Sequence, residues 1–470
     1  MDRQRLFALV LAGLVSLPLA VLARPFDVRI LSSTNTYHRS PVIAASGLIA
    51  WTQLSTLGDE AEGAASRTDV LISDNGAEPV NITQDNLALG GRVSTPAPYG
   101  QSVAFAVQLA AETPGGPEFQ LVMPELDEKM QQMDDDYPTL FGEPPPSSAT
   151  IAQIDADTPE AAAIPEGGAG TAEPELDENG NPVMKPIAAP PRQNWRRGLG
   201  NALAIALYEN GNTEILTPKN HGFSIPVLGE KNVAFLCARG WPYGYELVSY
   251  NREQKALTQV TTNFFYVANP VLSGHRLAFQ GWDGNDYEIF VHDFDTGVTT
   301  QITENTFDDT DPALDGDTLG WIGHPLATAE IFMYDFESQT VRKLSDSSTT
   351  ANTHLSVWNG KAVWQAYDDE GSDSEIYYFD GNRIIKLTSN IWDDTDPCIR
   401  DGVIAWVSYV DLGDAEIMAL DLSDNIPVQI TDNASDDLLP CTAKSMVVWQ
   451  SDTDDGHSSI CIATPHVDKP

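Results

Sequence analysis

The chain is poor in basic residues. Its 470 residues include only 26 Lys and Arg against 68 Asp and Glu, which gives a formal charge of −42. Nucleic acids and anionic membrane surfaces are held by clustered basic side chains, so the sequence argues against both as partners. The partner that this charge favours is a protein with a basic surface.

Familiar catalytic and cofactor motifs are also missing from the sequence. It contains no G-x-S-x-G, H-E-x-x-H, P-loop or C-x-x-C pattern. The 35 Gly and 31 Pro residues disfavour long helices. We therefore predict no catalytic and no cofactor-binding residues from motifs alone.

Cysteine is scarce as well, with four residues, which are too few for a disulfide scaffold. Cys398 and Cys441 follow equivalent prolines, so they could pair in an oxidising compartment. A disulfide needs Cα atoms within ~7 Å, and both a disulfide and two free thiols stay open for this pair. Cys237 and Cys461 lie within predicted strands, where buried thiols are expected.

The first 23 residues have the pattern of a secretory signal peptide. Arg3 and Arg5 precede an apolar run over residues 6–23, and small residues allow cleavage after Ala23. An uncleaved membrane anchor is the alternative. No later apolar run reaches spanning length, so we expect a periplasmic or secreted protein without a transmembrane anchor after cleavage.

A repeat of about 43 residues runs through the rest of the chain. Each unit has a strand ending in an aromatic residue, an acidic loop, a strand of the Glu-Ile-Tyr type, and a strand ending in Ile-Thr or Leu-Thr. The aromatic positions are Trp51, Phe105, Phe235, Phe279, Trp321, Trp364, Trp406 and Trp449. Four short strands in a unit of this length predict a β-propeller blade.

The two ends of the chain indicate how the ring closes. The last unit stops near Ala463 without a fourth strand, and residues 28–33 match the missing one. We predict an all-β, eight-bladed propeller of four-stranded blades, in which the N-terminal strand completes the C-terminal blade and leaves no exposed seam. Seven blades are the alternative if the second is irregular. Residues 26–33 should then pair with residues 457–463.

The repeats resemble the TolB-like propellers of bacterial exported proteins. The likeness is carried by the D-G-x-D-x-E-I stretches at 283–293 and 368–380, the D-x-D-P links at 309–312 and 394–397, and the Ile-Thr endings. The usual W-S-P-D-G turn of that family is replaced here, which places the chain in an outlying branch. The resemblance implies the fold and leaves the function open, because such propellers include scaffolds, binding modules and a few enzymes.

Residues 111–199 interrupt the second blade between its second and third strands. They are rich in Pro and in acidic residues, a composition that cannot bury a core, so we predict a disordered insertion. The predicted order is a signal peptide (1–23), the closing strand with blade 1 and the start of blade 2 (24–110), the insertion (111–199), the rest of the propeller (200–464) and a tail (465–470).

Acidic loops are expected on one face of the propeller. Carboxylates and loop carbonyls are the ligands of Ca²⁺, so calcium is the cofactor that this face would hold. The candidate ligands are Asp368, Asp369, Asp373, Asp393, Asp394, Asp396, Asp452 and Asp454. The other interpretation is a solvated face on which Asp residues cap tight turns.

Two functions are compatible with this pattern. The favoured one is an exported, non-catalytic protein-binding or scaffold module that uses the acidic loop face. The alternative is a metal-dependent glycan lyase or hydrolase with its site at the channel mouth, using Asp and the histidines expected in loops of that face: His38, His221, His324, His354 and His457. Three or more His, Asp or Glu within ~5 Å at the mouth would favour the enzyme.

Overall fold

The computed structural model describes residues 26–32, 37–57, 65–83, 89–109, 115–116, 203–218, 224–238, 245–262, 266–325, 329–345, 349–368, 373–410, 414–423, 425–453 and 455–465. These residues form eight antiparallel sheets and contain no helix. They therefore offer no long apolar helix of the kind that crosses a membrane. The predicted signal peptide and nearly all of the predicted insertion lie outside the described residues and stay predictions.

The strands of the described residues are short, as the repeat predicts. In chain order they are β1(Phe26–Ile30), β2(Tyr37–Ile43), β3(Leu48–Leu57), β4(Ala65–Asp74), β5(Val80–Asn81), β6(Leu89–Val93), β7(Ala97–Tyr99), β8(Ser102–Leu109), β9(Leu203–Glu209), β10(Asn212–Ile215), β11(Val227–Leu228), β12(Asn232–Ala238), β13(Tyr245–Asn251), β14(Ala256–Gln259), β15(Val267–Ser273), β16(Arg276–Trp282), β17(Tyr287–Asp293), β18(Val298–Gln301), β19(Asp309–Asp315), β20(Thr318–Gly323), β21(Glu330–Asp335), β22(Thr340–Lys343), β23(Thr349–Trp358), β24(Lys361–Asp368), β25(Ser374–Phe379), β26(Ile384–Lys386), β27(Asp394–Arg400), β28(Val403–Val410), β29(Asp414–Asp421), β30(Ile426–Gln429), β31(Asp436–Ala443), β32(Met446–Asp452) and β33(Ser458–Pro465).

Each sheet is one blade. Blade 1 consists of β2–β5, blade 2 of β6–β10, blade 3 of β11–β14, blade 4 of β15–β18, blade 5 of β19–β22, blade 6 of β23–β26, blade 7 of β27–β30, and blade 8 of β31–β33 with β1. The first strands of consecutive blades contact one another, so they line the centre of the ring. The prediction of eight blades is confirmed and the seven-blade alternative is wrong. Blade 2 is irregular only in that its innermost strand is divided into β6 and β7.

The ring closes as predicted. Strand β1 pairs antiparallel with β33, from Phe26 opposite Pro465 to Ile30 opposite Cys461. Phe26 is buried in the core cluster between blades 7 and 8, and Leu31 is buried in the cluster between blades 8 and 1. The N-terminal strand therefore gives blade 8 its outer edge and also contributes side chains to the packing on both of its sides.

The predicted aromatic column forms the core. All eight aromatic side chains are buried, each at most 2% exposed. The core clusters of the described residues each combine side chains of two adjacent blades. A four-stranded sheet cannot bury both of its faces alone, so stacking of neighbouring blades supplies the second wall of every cluster.

The Ile-Thr endings also have a structural explanation. In every blade a Thr or Ser hydroxyl at the end of the fourth strand accepts a backbone N–H of the third strand, at 2.8–3.0 Å. In blade 8 this hydroxyl belongs to Ser32, which bonds to the N–H of Ile460. The closing strand therefore occupies the same place as the fourth strand of every other blade.

Candidate functional site

Strand directions divide the propeller into two faces. The loops between second and third strands, such as residues 283–286, share one face with the links between blades, such as residues 302–308. We call this the loop face. The tight turns after first and third strands, such as residues 274–275 and 294–297, form the opposite face, which we call the hairpin face.

Acidic residues lie on both faces, which corrects the expectation of a single acidic face. The hairpin face carries exposed acids such as Asp295, Asp317 and Glu337. Basic residues are also present on both faces, and eight of the 15 Lys and Arg of the described residues lie at the hairpin face: Lys231, Arg252, Lys255, Arg276, Lys361, Arg383, Arg400 and Lys444.

Several of these basic residues join neighbouring blades. Arg252 of blade 3 binds Glu209 of blade 2, and Arg276 of blade 4 binds Asp317 of blade 5. Lys444 of blade 8 donates to the side chain of Asn75 in blade 1 at 3.2 Å. The hairpin face is held together by these contacts, so its charges serve the ring itself.

Some acids expected on the loop surface are buried instead. Asp309, Asp394 and Asp437 are at most 1% exposed, and each accepts the indole N–H of the aromatic in the next strand at 2.9–3.1 Å. His38 and Asn352 accept the indoles of Trp51 and Trp364 in the same way. The first Asp of the D-x-D-P motif is therefore a structural acceptor for tryptophan.

The pairing is specific to tryptophan. In blades 2 and 4 the aromatic is Phe105 or Phe279, which has no N–H to donate, and the acceptor position is held by Val93 or Val267. The chain thus changes both members of the pair together. The acceptor residue lies 12 or 13 residues upstream of each tryptophan, and this pairing was not identified from the sequence.

The buried glutamates of the third strands have a related role. Glu246, Glu288 and Glu330 each accept the hydroxyl of the Thr or Ser that ends the fourth strand. Glu416 is also buried, and burial raises its pKa. Much of the repeated acid in this sequence therefore holds strand ends together inside the blades.

The eight predicted calcium ligands are spread over several environments. Asp394 also accepts Asn390 Nδ2 at 2.6 Å, and burial raises the pKa of its carboxyl. Asp393 Oδ1 accepts the N–H of Ser374 at 2.8 Å, and Asp452 Oδ1 accepts the amide of Gln450 at 2.8 Å.

The remaining predicted ligands are less completely defined. Asp373 is half-buried, and its Oδ2 has no hydrogen-bond partner. Asp369 and Asp454 lie outside the described residues, and only the backbone of Asp368 is described. The described members do not form a group of converging ligand atoms, so calcium at these eight positions stays a prediction.

A ring of residues at the channel mouth has an unusual backbone. Near the loop-face end of the innermost strand, six blades have a register shift and a non-glycine residue with positive φ: Ser40, Asn269, Asp311, His354, Asp396 and Leu439. We call these six residues the mouth ring. Left-handed backbone in a non-glycine residue costs roughly 1 kcal/mol, and a bulge of this kind turns the side chain away from the regular strand direction.

Members of the mouth ring contact one another across blade boundaries. Asn269 Nδ2 donates to Asp311 Oδ1 at 2.6 Å, and His354 Nε2 lies 3.1 Å from Asp396 Oδ1. A cavity of about 430 Å³ is lined by Asn269, Asp311 and His354, together with Pro312, Ile322, Thr353 and Leu355. Side chains from three consecutive blades therefore meet at one site beside the channel.

The other histidines do not join this ring. His38 lies in a strand rather than a loop and is buried, because it serves as the acceptor for Trp51. His324 contacts Thr310, and His457 stacks on Tyr37 beside Asp455. His221 lies outside the described residues.

All four cysteines are free thiols in this structure, so the possible pair of Cys398 and Cys441 is not joined. Burial raises the pKa of Cys398 to about 12 and that of Cys237 to about 12. These thiols are therefore protonated at neutral pH and weakly reactive.

One acidic group in blade 4 was not among the predicted ligands. The carboxylates of Asp283, Asp286 and Glu288 bring ligand atoms within 4.8 Å of one another, and no other such group of three occurs among the described residues. Burial and the neighbouring carboxylates of Glu288 and Asp283 raise the pKa of Asp286 to about 6. The sequence D-G-N-D-Y-E at 283–288 places Asp283 and Asp286 in a loop of the expected acidic face, but its spacing alone does not show that they meet Glu288.

The fold defines the class of this protein as a β-propeller, and solved structures of that class match it. A prolyl endopeptidase matches at 8% identity over 89% of this chain and 55% of that chain, with a TM-score of 0.50. TolB from Acinetobacter baumannii matches at 13% identity over 57% of this chain and 78% of that chain, with a TM-score of 0.34.

An oligogalacturonate lyase in complex with manganese matches at 13% identity over 56% of this chain and 83% of that chain, with a TM-score of 0.39. No family model and no curated protein matches the sequence. Identities this low show the shared fold alone. The likeness to TolB-like propellers, which the repeats predict, is confirmed at the level of the fold.

Proposed function

We propose that this protein is an exported, non-catalytic binding or scaffold module that holds a basic protein at its channel mouth. The observation that carries the proposal is the mouth ring. Positions that pack the blades keep one type of residue around the ring, whereas the mouth ring presents a different side chain in most blades. A varied set of side chains on a constant scaffold is typical of a recognition surface.

The charge distribution supports a basic partner. The mouth ring contains Asp311 and Asp396 and no Lys or Arg, and eight of the 15 Lys and Arg of the described residues lie at the opposite, hairpin face. A partner with clustered basic side chains would be attracted to this end of the molecule, and its binding would weaken as salt increases. Export, expected from residues 1–23, would place the encounter in the periplasm or outside the cell.

The test uses the full chain as bait in a periplasmic extract. The variant Asp311→Asn with Asp396→Asn removes two mouth charges, and Asn tolerates the left-handed backbone at both positions. The matched control, Asp295→Asn with Glu337→Gln, removes two exposed charges from the hairpin face. We expect a protein retained by the native chain and by the control, but lost with the mouth variant and at high salt. Equal capture by both variants would contradict the proposal.

The glycan lyase or hydrolase is the second candidate. It is favoured by the cavity of about 430 Å³, which is lined by His354 and Asp311, and by Asp396, whose Oδ1 lies 3.1 Å from His354 Nε2. A histidine and carboxylates around a cavity are suited to proton transfer. If the protein is such an enzyme, incubation with neutral or uronic-acid oligosaccharides, with and without a chelator, should release shorter oligosaccharides. The variant His354→Ala should abolish this release. If neither class of oligosaccharide is cleaved, the protein is not a lyase or hydrolase for these two substrate classes.

A further inference from the structure

The loop between β16 and β17 in blade 4 folds around its own acidic residues. Asp283 Oδ1 accepts the backbone N–H groups of Asn285 at 2.8 Å and Asp286 at 3.3 Å. Gly284 has a φ of 116°, which side-chain-bearing residues rarely adopt. The turn is therefore tight, and it carries Asp283 and Asp286 to the same place as Glu288 at the start of β17.

The second observation is the state of the Asp286 side chain. Asp286 is only 6% exposed, yet neither of its carboxylate oxygens has a hydrogen-bond partner. Burying a carboxylate without a donor or a counter-charge costs several kcal/mol, so such groups are paired or bind metal ions in folded proteins. This carboxylate is aimed at the oxygens of Asp283 and Glu288, which can only repel it when all three are ionised.

In blades 5 and 6 a lysine of the fourth strand lies beside the corresponding glutamate. Glu330 of blade 5 lies 2.9 Å from Lys343, and Glu375 of blade 6 lies 3.4 Å from Lys386. In blade 4 the corresponding position of the fourth strand is Gln301, which has no charge, and blades 3 and 7 also have glutamine there.

Within the described residues, no ion pair involves Asp283, Asp286 or Glu288. Asp308 adds a further carboxylate nearby, since its Oδ1 accepts the N–H of Tyr287 at 2.9 Å. Blade 4 therefore brings three carboxylates together, and within the described residues none of them is paired with a basic side chain.

We propose that Asp283, Asp286 and Glu288 form a binding site for a hard divalent cation, with Ca²⁺ as the preferred ion. Three carboxylates supply the charge and the oxygen ligands that Ca²⁺ takes, and waters can complete its six to eight contacts at the exposed Asp283 side. The site contains no nitrogen or sulfur ligand, which disfavours zinc and copper. This site is separate from the mouth ring, and the inference does not depend on the proposed partner.

The first experiment is calorimetric titration of the full, chelator-treated chain with CaCl2 and, separately, with MgCl2. We expect one Ca²⁺ site per chain that Asp286→Asn weakens by at least about tenfold. The matched control is Asp414→Asn, because Asp414 precedes Glu416 in blade 7 as Asp286 precedes Glu288, but it is exposed. The control should leave the affinity unchanged. Should Asp286→Asn not fold, Asp283→Asn at the exposed position replaces it.

A second measurement locates the ion. Trp282 directly precedes the site and lies against Tyr287, with ring centroids 5.4 Å apart, so its excitation should sensitise the luminescence of bound Tb³⁺. Trp282→Phe should remove most of this signal while calorimetry still detects Ca²⁺. The proposal would be overturned if the chain does not bind Ca²⁺ at millimolar concentration, or if it binds Mg²⁺ alone. It would also be overturned if Asp286→Asn and Asp414→Asn lose Ca²⁺ affinity equally.

Discussion

The bond between tryptophan and its upstream acceptor can be tested by converting one blade into the type found in another. In blade 7, Trp406 Nε1 donates to Asp394 Oδ1 at 3.1 Å, and both residues are buried. Blade 4 has Phe279 and Val267 at the same positions. The variants are Trp406→Phe, Asp394→Val and the double variant.

The expected magnitudes follow from the bonds that each variant breaks. Trp406→Phe removes a hydrogen bond to a buried carboxylate, which is worth about 1.5–3 kcal/mol, and leaves a smaller ring in the core. Asp394→Val leaves the indole N–H without an acceptor. In a chain that already carries Asp394→Val, replacing Trp406 by Phe no longer breaks a bond. The double variant should therefore be more stable than the sum of the single effects by about 2 kcal/mol.

Equilibrium urea denaturation measures this coupling. Tryptophan fluorescence and circular dichroism should be followed together, since coincident transitions are needed for free energies of unfolding. The control cycle combines Asp394→Val with Trp321→Phe, because Trp321 bonds to Asp309 in blade 5. The control should be additive. Additivity within about 0.5 kcal/mol in the Trp406 cycle as well would refute the assigned role of the bond.

Three further outcomes are expected. Removing residues 26–32 exposes the edge of β33, so the chain should melt at a lower temperature and associate, whereas removing only residues 1–25 should do neither; calorimetry and light scattering compare them. Trp364→Ala should lower the free energy of unfolding by roughly 3–5 kcal/mol in urea denaturation, and an unchanged midpoint would contradict the burial of this ring. Burial raises the pKa of Asp437, so the native state holds a proton that the unfolded chain has lost above about pH 4. Stability should therefore fall as pH rises above that value, and Asp437→Asn should show a weaker fall; identical pH profiles would count against this assignment.

The number of blades and their register could be predicted from the sequence, because the fold repeats one local pattern. The ring position of Trp406 follows from its spacing to Trp364 and Trp449, and all three are buried as expected. Residues 28–33 match a fourth-strand ending, and Ser32 occupies that place in blade 8. Strand pattern and turn residues are local properties, so they are readable without knowledge of the neighbours.

The roles of the acids could not be read in this way. Asp394 and Asp396 are two residues apart in one strand, and residues with this spacing share a face in a regular strand. The structure separates them, because Asp396 has a φ of 50° within a bulge. Asp394 therefore points into the blade toward Trp406, while Asp396 reaches His354 of the neighbouring blade at the mouth.

The sequence by itself determined a closed ring of eight blades, since aromatic spacing and strand endings depend on residues within each repeat. Only the tertiary structure decided which carboxylates are buried acceptors, which meet across blades, and which three converge in blade 4. Burial and charge compensation depend on neighbouring strands and blades, such as the lysine that pairs with Glu330 and the glutamine that stands in its place beside Glu288. A residue's own repeat does not contain that information.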